Sequence, residues 1–427
     1  MKGVHLGCIA DDFTGATDLA NNLVRAGMRV VQAMGVPTQP LDAQADAVVV
    51  ALKSRTLPKA QAIAQSLAAL AWLQAQGAQQ IYFKYCSTFD STAQGNIGPV
   101  TEALMDALGT DFTIATPAFP DNQRTVFKGH LFVGDVLLNE SGMQNHPLTP
   151  MTDANLVRVM QAQCQRKVGL VDYRVVAQGD AAIRARVDAL RGQGVGIAVV
   201  DATSNDDLLR LGQALKGMPL VTAGSGVAIG LPANWGLAPS GSASALPAPK
   251  GMQAVVSGSC SLATNRQVAS FIASGHPALE IDPLHMARQA ASGVDVVVDV
   301  LAWAAPHLQQ GPVLIYSSAG AATVKEVQGQ LGAEAACELV EQTLAAIARG
   351  LVTLGVRQLV VAGGETSGAC VQVLNIVQMK IGPQIDPGVP WCHAFTDAAP
   401  DGGLHLALKS GNFGTDDFFT QAFTRLA

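Results

Sequence analysis

Short apolar, β-branched runs alternate along the chain with longer stretches rich in Ala, Leu and Gln. Residues 4–10, 47–52, 80–84, 112–116, 196–201 and 220–223 read as strands, because each is a brief apolar run bounded by turn residues. Between them, residues 59–76 and 181–193 carry helical texture, and Gly194 follows the second as a stop. Apolar strands alternating with helices are the pattern of a parallel sheet covered on both faces. The first half is therefore expected to be a doubly wound α/β domain.

Residues 231–250 break that rhythm with four Pro and many small residues, a composition that resists both helix and strand. The alternation then restarts, with strands expected at 253–257, 313–317, 358–362 and 404–408 and helices at 264–274, 333–349 and 369–374. The expected organisation is α/β in two domains, residues 1–235 and 250–427, joined by a linker at 236–249. A cleft between the two is the expected place for a small-molecule site.

Composition narrows the class. Of 427 residues, 49% are hydrophobic and 14% charged, which excludes a disordered chain. No apolar stretch of about 18 residues could span a bilayer, and the N-terminus lacks the layout of a secretory signal. Seven scattered cysteines, none in Cys-x-x-Cys or zinc spacing, read as reduced thiols of a cytoplasmic protein. A net charge of −6 without a basic run argues against nucleic acid as a partner. A membrane partner is likewise not expected, and a homo-oligomer is left open.

Candidate chemistry gathers at strand ends, where open α/β sheets bind their ligands. After the first strand comes Ala10-Asp11-Asp12-Phe13-Thr14-Gly15-Ala16-Thr17-Asp18. Asp11 and Asp12 can accept hydrogen bonds from sugar hydroxyls, bind magnesium or take a proton, and either could instead simply cap the following helix. Thr14 and Gly15 can open that helix toward an anion. Arg55 follows the strand at 47–52, Lys84 closes the strand at 80–84 ahead of Asp90, and Arg124 lies beyond the strand at 112–116. Converging cations of this kind suit a substrate bearing a carboxylate and hydroxyls. The second half carries three glycine-rich turns of another type: Ser257-Gly258-Ser259-Cys260-Ser261, Gly363-Gly364-Glu365-Thr366-Ser367-Gly368 and Lys409-Ser410-Gly411-Asn412-Phe413-Gly414. Small residues at such turns let backbone N–H groups approach phosphates.

Taken together, these motifs resemble the four-carbon acid sugar kinase family over almost the whole chain. Lys84-Tyr85-Cys86-Ser87-Thr88-Phe89-Asp90-Ser91-Thr92 with Gly95-Asn96-Ile97-Gly98, and Pro117-Ala118-Phe119-Pro120 before Arg124-Thr125-Val126, complete the likeness. Family members acting on threonate or erythronate carry Asp-Ser-Thr-x-Arg-Gly after the lysine. Cys86-Ser87-Thr88 stands there instead, which favours the branch acting on 3-oxo-tetronate. The resemblance implies an N-terminal acid-sugar domain and a C-terminal nucleotide domain, with ATP and Mg²⁺ as cofactors and phosphoryl transfer to the terminal C4 hydroxyl. It places nucleotide contacts on Ser259, Ser261, Gly363, Gly364, Glu365, Thr366 and Gly411. Asp12 and Asp11 would be catalytic, and Thr14, Arg55, Lys84, Asp90 and Arg124 would bind substrate.

Rival classes fit less well. There is no G-x-x-x-x-G-K-[ST], no H-R-D with D-F-G, no H-E-x-x-H and no G-x-S-x-G, so P-loop enzymes, protein kinases, zinc proteases and α/β-hydrolases are excluded. An NAD-dependent sugar-acid dehydrogenase would need G-x-G-x-x-G where Asp11-Asp12-Phe13-Thr14-Gly15 stands. A kinase of D-threonate or D-erythronate is the nearest alternative, and a non-catalytic acid-sugar binding protein would lack the phosphate-type turns.

Overall fold

A computed structural model describes residues 4–38, 41, 44–145, 149–292, 295–317 and 332–426. The chain forms two compact α/β units, Met1–Ser244 and Ala245–Ala427.

In the first unit the strands are β1 (Leu6–Ala10), β2 (Val30–Met34), β3 (Ala47–Ala51), β4 (Gln80–Lys84), β5 (Thr113–Thr116), β9 (Lys167–Val171), β10 (Val195–Val200) and β11 (Leu220–Ala223). They lie in the order β2-β3-β1-β4-β11-β5-β10-β9, and every pairing is parallel. β1, β3 and β4 are buried at every position, as a sheet covered on both faces requires. The helices are α1 (Phe13–Arg25), α2 (Lys59–Ala75), α3 (Ile97–Leu108), α4 (Leu156–Gln163), α5 (Tyr173–Val176), α6 (Asp180–Gly192) and α7 (Asn205–Ala214). A small antiparallel sheet of β6 (Arg124–Phe127), β7 (His130–Val133) and β8 (Val136–Leu137) grows out beyond β5.

The order has one consequence for function. The chain leaves β1, runs through β2 and returns to pair β3 with one side of β1; it then crosses over and pairs β4 with the other side. The carboxyl ends of β3, β1 and β4 therefore flank the point where strand order reverses, and connections leave a crevice open there.

The second unit holds β12 (Met252–Ser257), β13 (Ala278–Glu280), β14 (Val313–Tyr316), β15 (Val356–Ala362), β16 (Gln378–Asp386), β17 (Val389–Ala394) and β18 (Leu404–Lys409). Their order is β13-β14-β12-β15-β18-β17-β16. The first five strands in that order pair in parallel, while β17 runs antiparallel to both β18 and β16. The expected strands are all present. The β16–β17 hairpin was not anticipated, because Gly382, Pro383, Pro387–Gly388 and Pro390 punctuate it like a loop; Pro390 sits where register shifts interrupt the ladder and relieve the need for its N–H. The helix expected at 369–374 begins earlier, at Gly364. Packing against the preceding helix Ala333–Thr353 supports it, although Gly364 and Gly368 in its first turns disfavour a helix.

Trp391 anchors this unit's core. Its ring is fully buried beside Phe423, 6.0 Å between centroids, and its Nε1 donates to the Ala422 carbonyl at 2.8 Å. Trp391→Ala should lower unfolding free energy by about 3–5 kcal/mol through cavity formation, read as a shift of the urea midpoint. An unchanged midpoint would mean that the second unit does not depend on this contact.

Candidate functional site

Asp11 and Asp12 follow directly on β1, and their backbone is tied to both neighbouring strand ends. Asp11 N donates to the Lys84 carbonyl at 3.1 Å, and Ser54 N donates to the Asp11 carbonyl at 2.9 Å. Asp12 is the N-cap of α1, accepting from Gly15 N at 3.1 Å and from Thr14 Oγ1 at 2.9 Å. The helix-cap and site readings thus coexist in one carboxylate. Its Oδ2 serves the helix, while Oδ1 faces the cations.

Arg55 binds both aspartates. Its Nε and Nη2 fork onto Asp11 at 2.9 and 2.8 Å, and Nη2 also reaches Asp12 Oδ1 at 2.6 Å. Lys84 Nζ stands 3.6 Å from the same Asp12 oxygen. Asp90 approaches from the loop after β4, with Oδ2 3.9 Å from Arg55 Nη1 and Oδ1 accepting from Thr88 at 2.6 Å. Phe89 aims it there, holding a left-handed φ of 52° while its buried ring packs edge-on against Tyr85. The loop carrying Arg55 is latched by Asn96, whose Nδ2 donates to the carbonyls of Ser54, Arg55 and Leu57 at 3.1, 3.1 and 2.9 Å. A Cβ on Gly15 would fall 1.9 Å from Lys84 Nζ, so only glycine lets this lysine cross the first turn of α1.

Burial pushes the Asp11 carboxyl above its ordinary range, and the forked contact with Arg55 pulls the other way. Asp12 feels the same burial, but Arg55 and Lys84, with the Gly15 N–H, hold it well below the usual carboxylate range. Cys86 is pushed up to about 11 by burial and then by Asp90, so it is a neutral thiol near pH 7 rather than a nucleophile.

Arg124 does not join the Arg55 cluster. It leans back on the Asn122 carbonyl, and its Nε is buried without a partner among the described residues. Lys84 and Arg124 both favour the charged form of Asp18, which sits farther along α1. Asp18 is 7% exposed, accepts a hydrogen bond from Ser225 through Oδ2, and has a buried Oδ1 with no partner among the described residues. Burial pushes it up to about 6 despite those cations. It belongs to the motif after β1, yet nothing in the sequence marks it as facing inward beside Lys84.

In the second unit the three glycine-rich turns come together. Ser261 caps the helix α8 (Leu262–Ala273), accepting from Thr264 N at 3.2 Å and donating to the Gly411 carbonyl at 2.5 Å. A Cβ on Gly411 would meet Ser259 Oγ at 2.6 Å, and one on Gly258 would meet Thr366 Oγ1 at 2.4 Å. Gly363, at φ 120°, begins the helix Gly364–Val373 with no side-chain cap, which leaves N-terminal N–H groups for an anion. Ser259, Ser261, Gly363, Thr366 and Gly411 are therefore neighbours, while Gly364 and Glu365 stand exposed at the helix start. Among the described residues no three His, Cys, Asp or Glu side chains are grouped to hold a metal ion, and no helix is long and apolar enough to cross a membrane.

Comparison with known proteins agrees with this division of labour. Residues 6–231 match a sugar-binding N-terminal domain, and residues 254–419 match a nucleotide-binding C-terminal domain. The chain is 60% identical to the 3-oxo-tetronate kinase of Burkholderia multivorans, covering 99% of this chain and 97% of the relative. It is 58% identical to the 3-oxo-tetronate kinase of Cupriavidus necator, again over 99% and 97%. A crystal structure of a Salmonella typhimurium LT2 protein superposes with a TM-score of 0.89 at 46% identity, over 98% of both chains. The chain belongs to the four-carbon acid sugar kinase family, in its 3-oxo-tetronate kinase branch.

The Asp18 environment gives a signed pH dependence. Its carboxyl titrates near 3.8 when unperturbed and about 6 when folded, so between those values the folded chain keeps a proton that the unfolded chain has lost. Stability from this group therefore falls as pH rises through that window and levels off above it. Asp18→Asn should be more stable than the parent by on the order of 3 kcal/mol at about pH 8 and nearly equal to it at about pH 4. Urea unfolding at the two pH values checks this; equal differences at both would contradict it.

Proposed function

We propose that this chain transfers the γ-phosphoryl group of ATP to the terminal C4 hydroxyl of 3-oxo-tetronate, giving 3-oxo-tetronate 4-phosphate. The observation that carries the acceptor site is the gathering of two aspartates and two cations at the ends of β3, β1 and β4, in the unit that matches a sugar-binding domain. A small acid sugar needs hydroxyl acceptors beside a cationic patch, and this crevice supplies both.

Roles follow from which atoms already have partners. Arg55 gives its forked edge to Asp11 and reaches Asp12 as well, so its part is to hold the two carboxylates in place. Lys84 meets Asp12 only at ion-pair distance and keeps donor capacity, and Arg124 has an unpartnered Nε. These two are the cations for the substrate carboxylate, with Thr14 and Asp90 at the margin of the crevice. Asp11 fixes substrate hydroxyls. Asp12 receives the proton of the attacking hydroxyl. A carboxylate held at such low basicity can do so late in the transfer, once bonding to phosphorus has made that hydroxyl acidic, as a loose transition state demands. Ser259, Gly363, Thr366 and Gly411 offer small side chains and backbone N–H groups to the nucleotide phosphates. Mg²⁺ bound with the nucleotide would neutralise phosphate charge, and Glu365 at the exposed helix start is the residue of this turn that could help hold it.

Release of ADP, followed with 3-oxo-tetronate, D-threonate and D-erythronate as acceptors, tests the activity; the 3-oxo acid should give the highest kcat/KM. No acceptor-dependent ADP release from any of them would overturn the proposal. Asp12→Asn should cut kcat by about 10²–10⁴-fold while leaving the KM for ATP nearly unchanged. Arg124→Ala should raise the acid-sugar KM by roughly tenfold or more, since a charged hydrogen bond contributes about 1.5–3 kcal/mol, again without moving the KM for ATP. A change confined to the ATP side would remove Arg124 from the acceptor site.

A further inference from the structure

Lys409 ends β18 and is fully buried, yet among the described residues no carboxylate lies within ion-pair distance of it. Its ammonium is surrounded by neutral oxygens instead. Nζ donates to Thr264 Oγ1 and to the carbonyls of Ser410 and Gly411 at 3.0 Å each, and to the carbonyl of Phe413 at 3.1 Å. The Gly411 carbonyl also accepts from Ser261 Oγ at 2.5 Å and Thr264 Oγ1 at 2.9 Å. Gln267 Nε2 holds the next stretch, donating to the carbonyls of Phe413, Gly414 and Thr415 at 3.0 Å each.

Peptide geometry turns this into a statement about the other side of the turn. No peptide bond among the described residues is cis, and in a trans peptide the N–H points opposite to the C=O. With the carbonyls of Ser410, Gly411 and Phe413 drawn in to the ammonium, the N–H groups of Gly411, Asn412 and Gly414 point away from it. This outward face borders Ser259, since a Cβ on Gly411 would touch its hydroxyl, and the Ser259 amide in turn lies 3.3 Å from where a Cβ on Gly363 would sit. Successive N–H groups turned to one side form an anion-binding concavity.

We infer that Lys409 is the positioning residue of the nucleotide-phosphate site: from beneath the turn it fixes the carbonyls inward, sets the N–H groups of Gly411, Asn412 and Gly414 toward phosphate, and adds a buried positive charge under it. The inference rests on the kinase reading above. Lys409 itself does not touch the ligand. Its long-range partner is the polyphosphate, the anion that its surroundings lack.

Burial without a counter-charge pulls Lys409 down to about 7. On elements packed against β18, Arg357 of β15 pairs with Asp401, His393 of β17 contacts the Gly402 carbonyl, and Glu365 stands exposed at the start of the helix Gly364–Val373. On α8 and the turn, Arg266 pairs with Asp416; from β16, Asp386 accepts from Thr415; on β18, His405 contacts the Pro247 carbonyl. A bound polyphosphate raises the affinity of Lys409 for its proton, so binding above neutrality takes one up.

Calorimetric titration of the wild-type protein with ADP and Mg²⁺ at about pH 8, in two buffers of different ionisation enthalpy, measures this directly. Expected is uptake approaching one proton per ADP bound, with affinity falling up to tenfold per pH unit above neutrality. Lys409→Met should abolish both the uptake and the pH step and raise the KM for ATP more than tenfold, with the acid-sugar KM unmoved. ADP binding without proton uptake and with pH-independent affinity overturns the role of Lys409 and leaves the kinase reading standing. Persistence of uptake in Lys409→Met assigns the proton elsewhere and also overturns it. Failure of the wild-type protein to bind ADP overturns the kinase reading and this inference with it.

Discussion

Adjacent carboxylates at the end of a buried strand repel each other and lose their hydration, so both can be charged only if a cation is fixed between them. Arg55 meets that requirement in the first unit. Its guanidinium forks onto Asp11 and reaches Asp12 with the same nitrogen. The rest of the cluster is arranged around that contact. Asn96 pins the loop that delivers Arg55, and Gly15 clears the path by which Lys84 adds a second positive charge. Because Asp12 also caps α1, the orientation of the helix and the charge state of the site are coupled through one side chain.

The second unit solves the converse problem. Among the described residues Lys409 is a cation buried without an anion, stabilised by the carbonyl dipoles of the turn that follows it. In the first unit, Arg55 balances the paired carboxylates of Asp11 and Asp12 inside the protein. In the second, balance is incomplete, and a polyanion completes it. The two halves therefore differ in electrostatic design as well as in topology.

Much of this was legible in the residue pattern. Uninterrupted apolar runs such as Leu6–Ala10 and Ala47–Ala51 have one stable placement, inside a sheet covered on both faces, and the structure puts them there. Motifs at strand ends also survive translation, because a parallel sheet brings all its carboxyl ends to one side. That is why Asp11, Asp12, Arg55, Lys84 and Asp90 could be grouped before their distances were known. The β16–β17 hairpin escaped notice because its prolines and glycines resemble loop punctuation. Asp18 and Lys409 stood inside quoted motifs without a role, since a charged residue next to a turn reads as solvated.

The sequence by itself determined the fold class, the side of the sheet where Asp11, Asp12, Arg55 and Lys84 gather, and the family. These depend on periodicity and on motifs whose members lie close together along the chain. Only the tertiary structure decided which charges neutralise one another. Arg55 proved to be the counter-ion of Asp11 and Asp12, Arg124 stood apart with an open donor, and Lys409 was buried among carbonyls. Electrostatic roles depend on distance and burial to within about an ångström, and those are set by strands that meet across long separations in the chain.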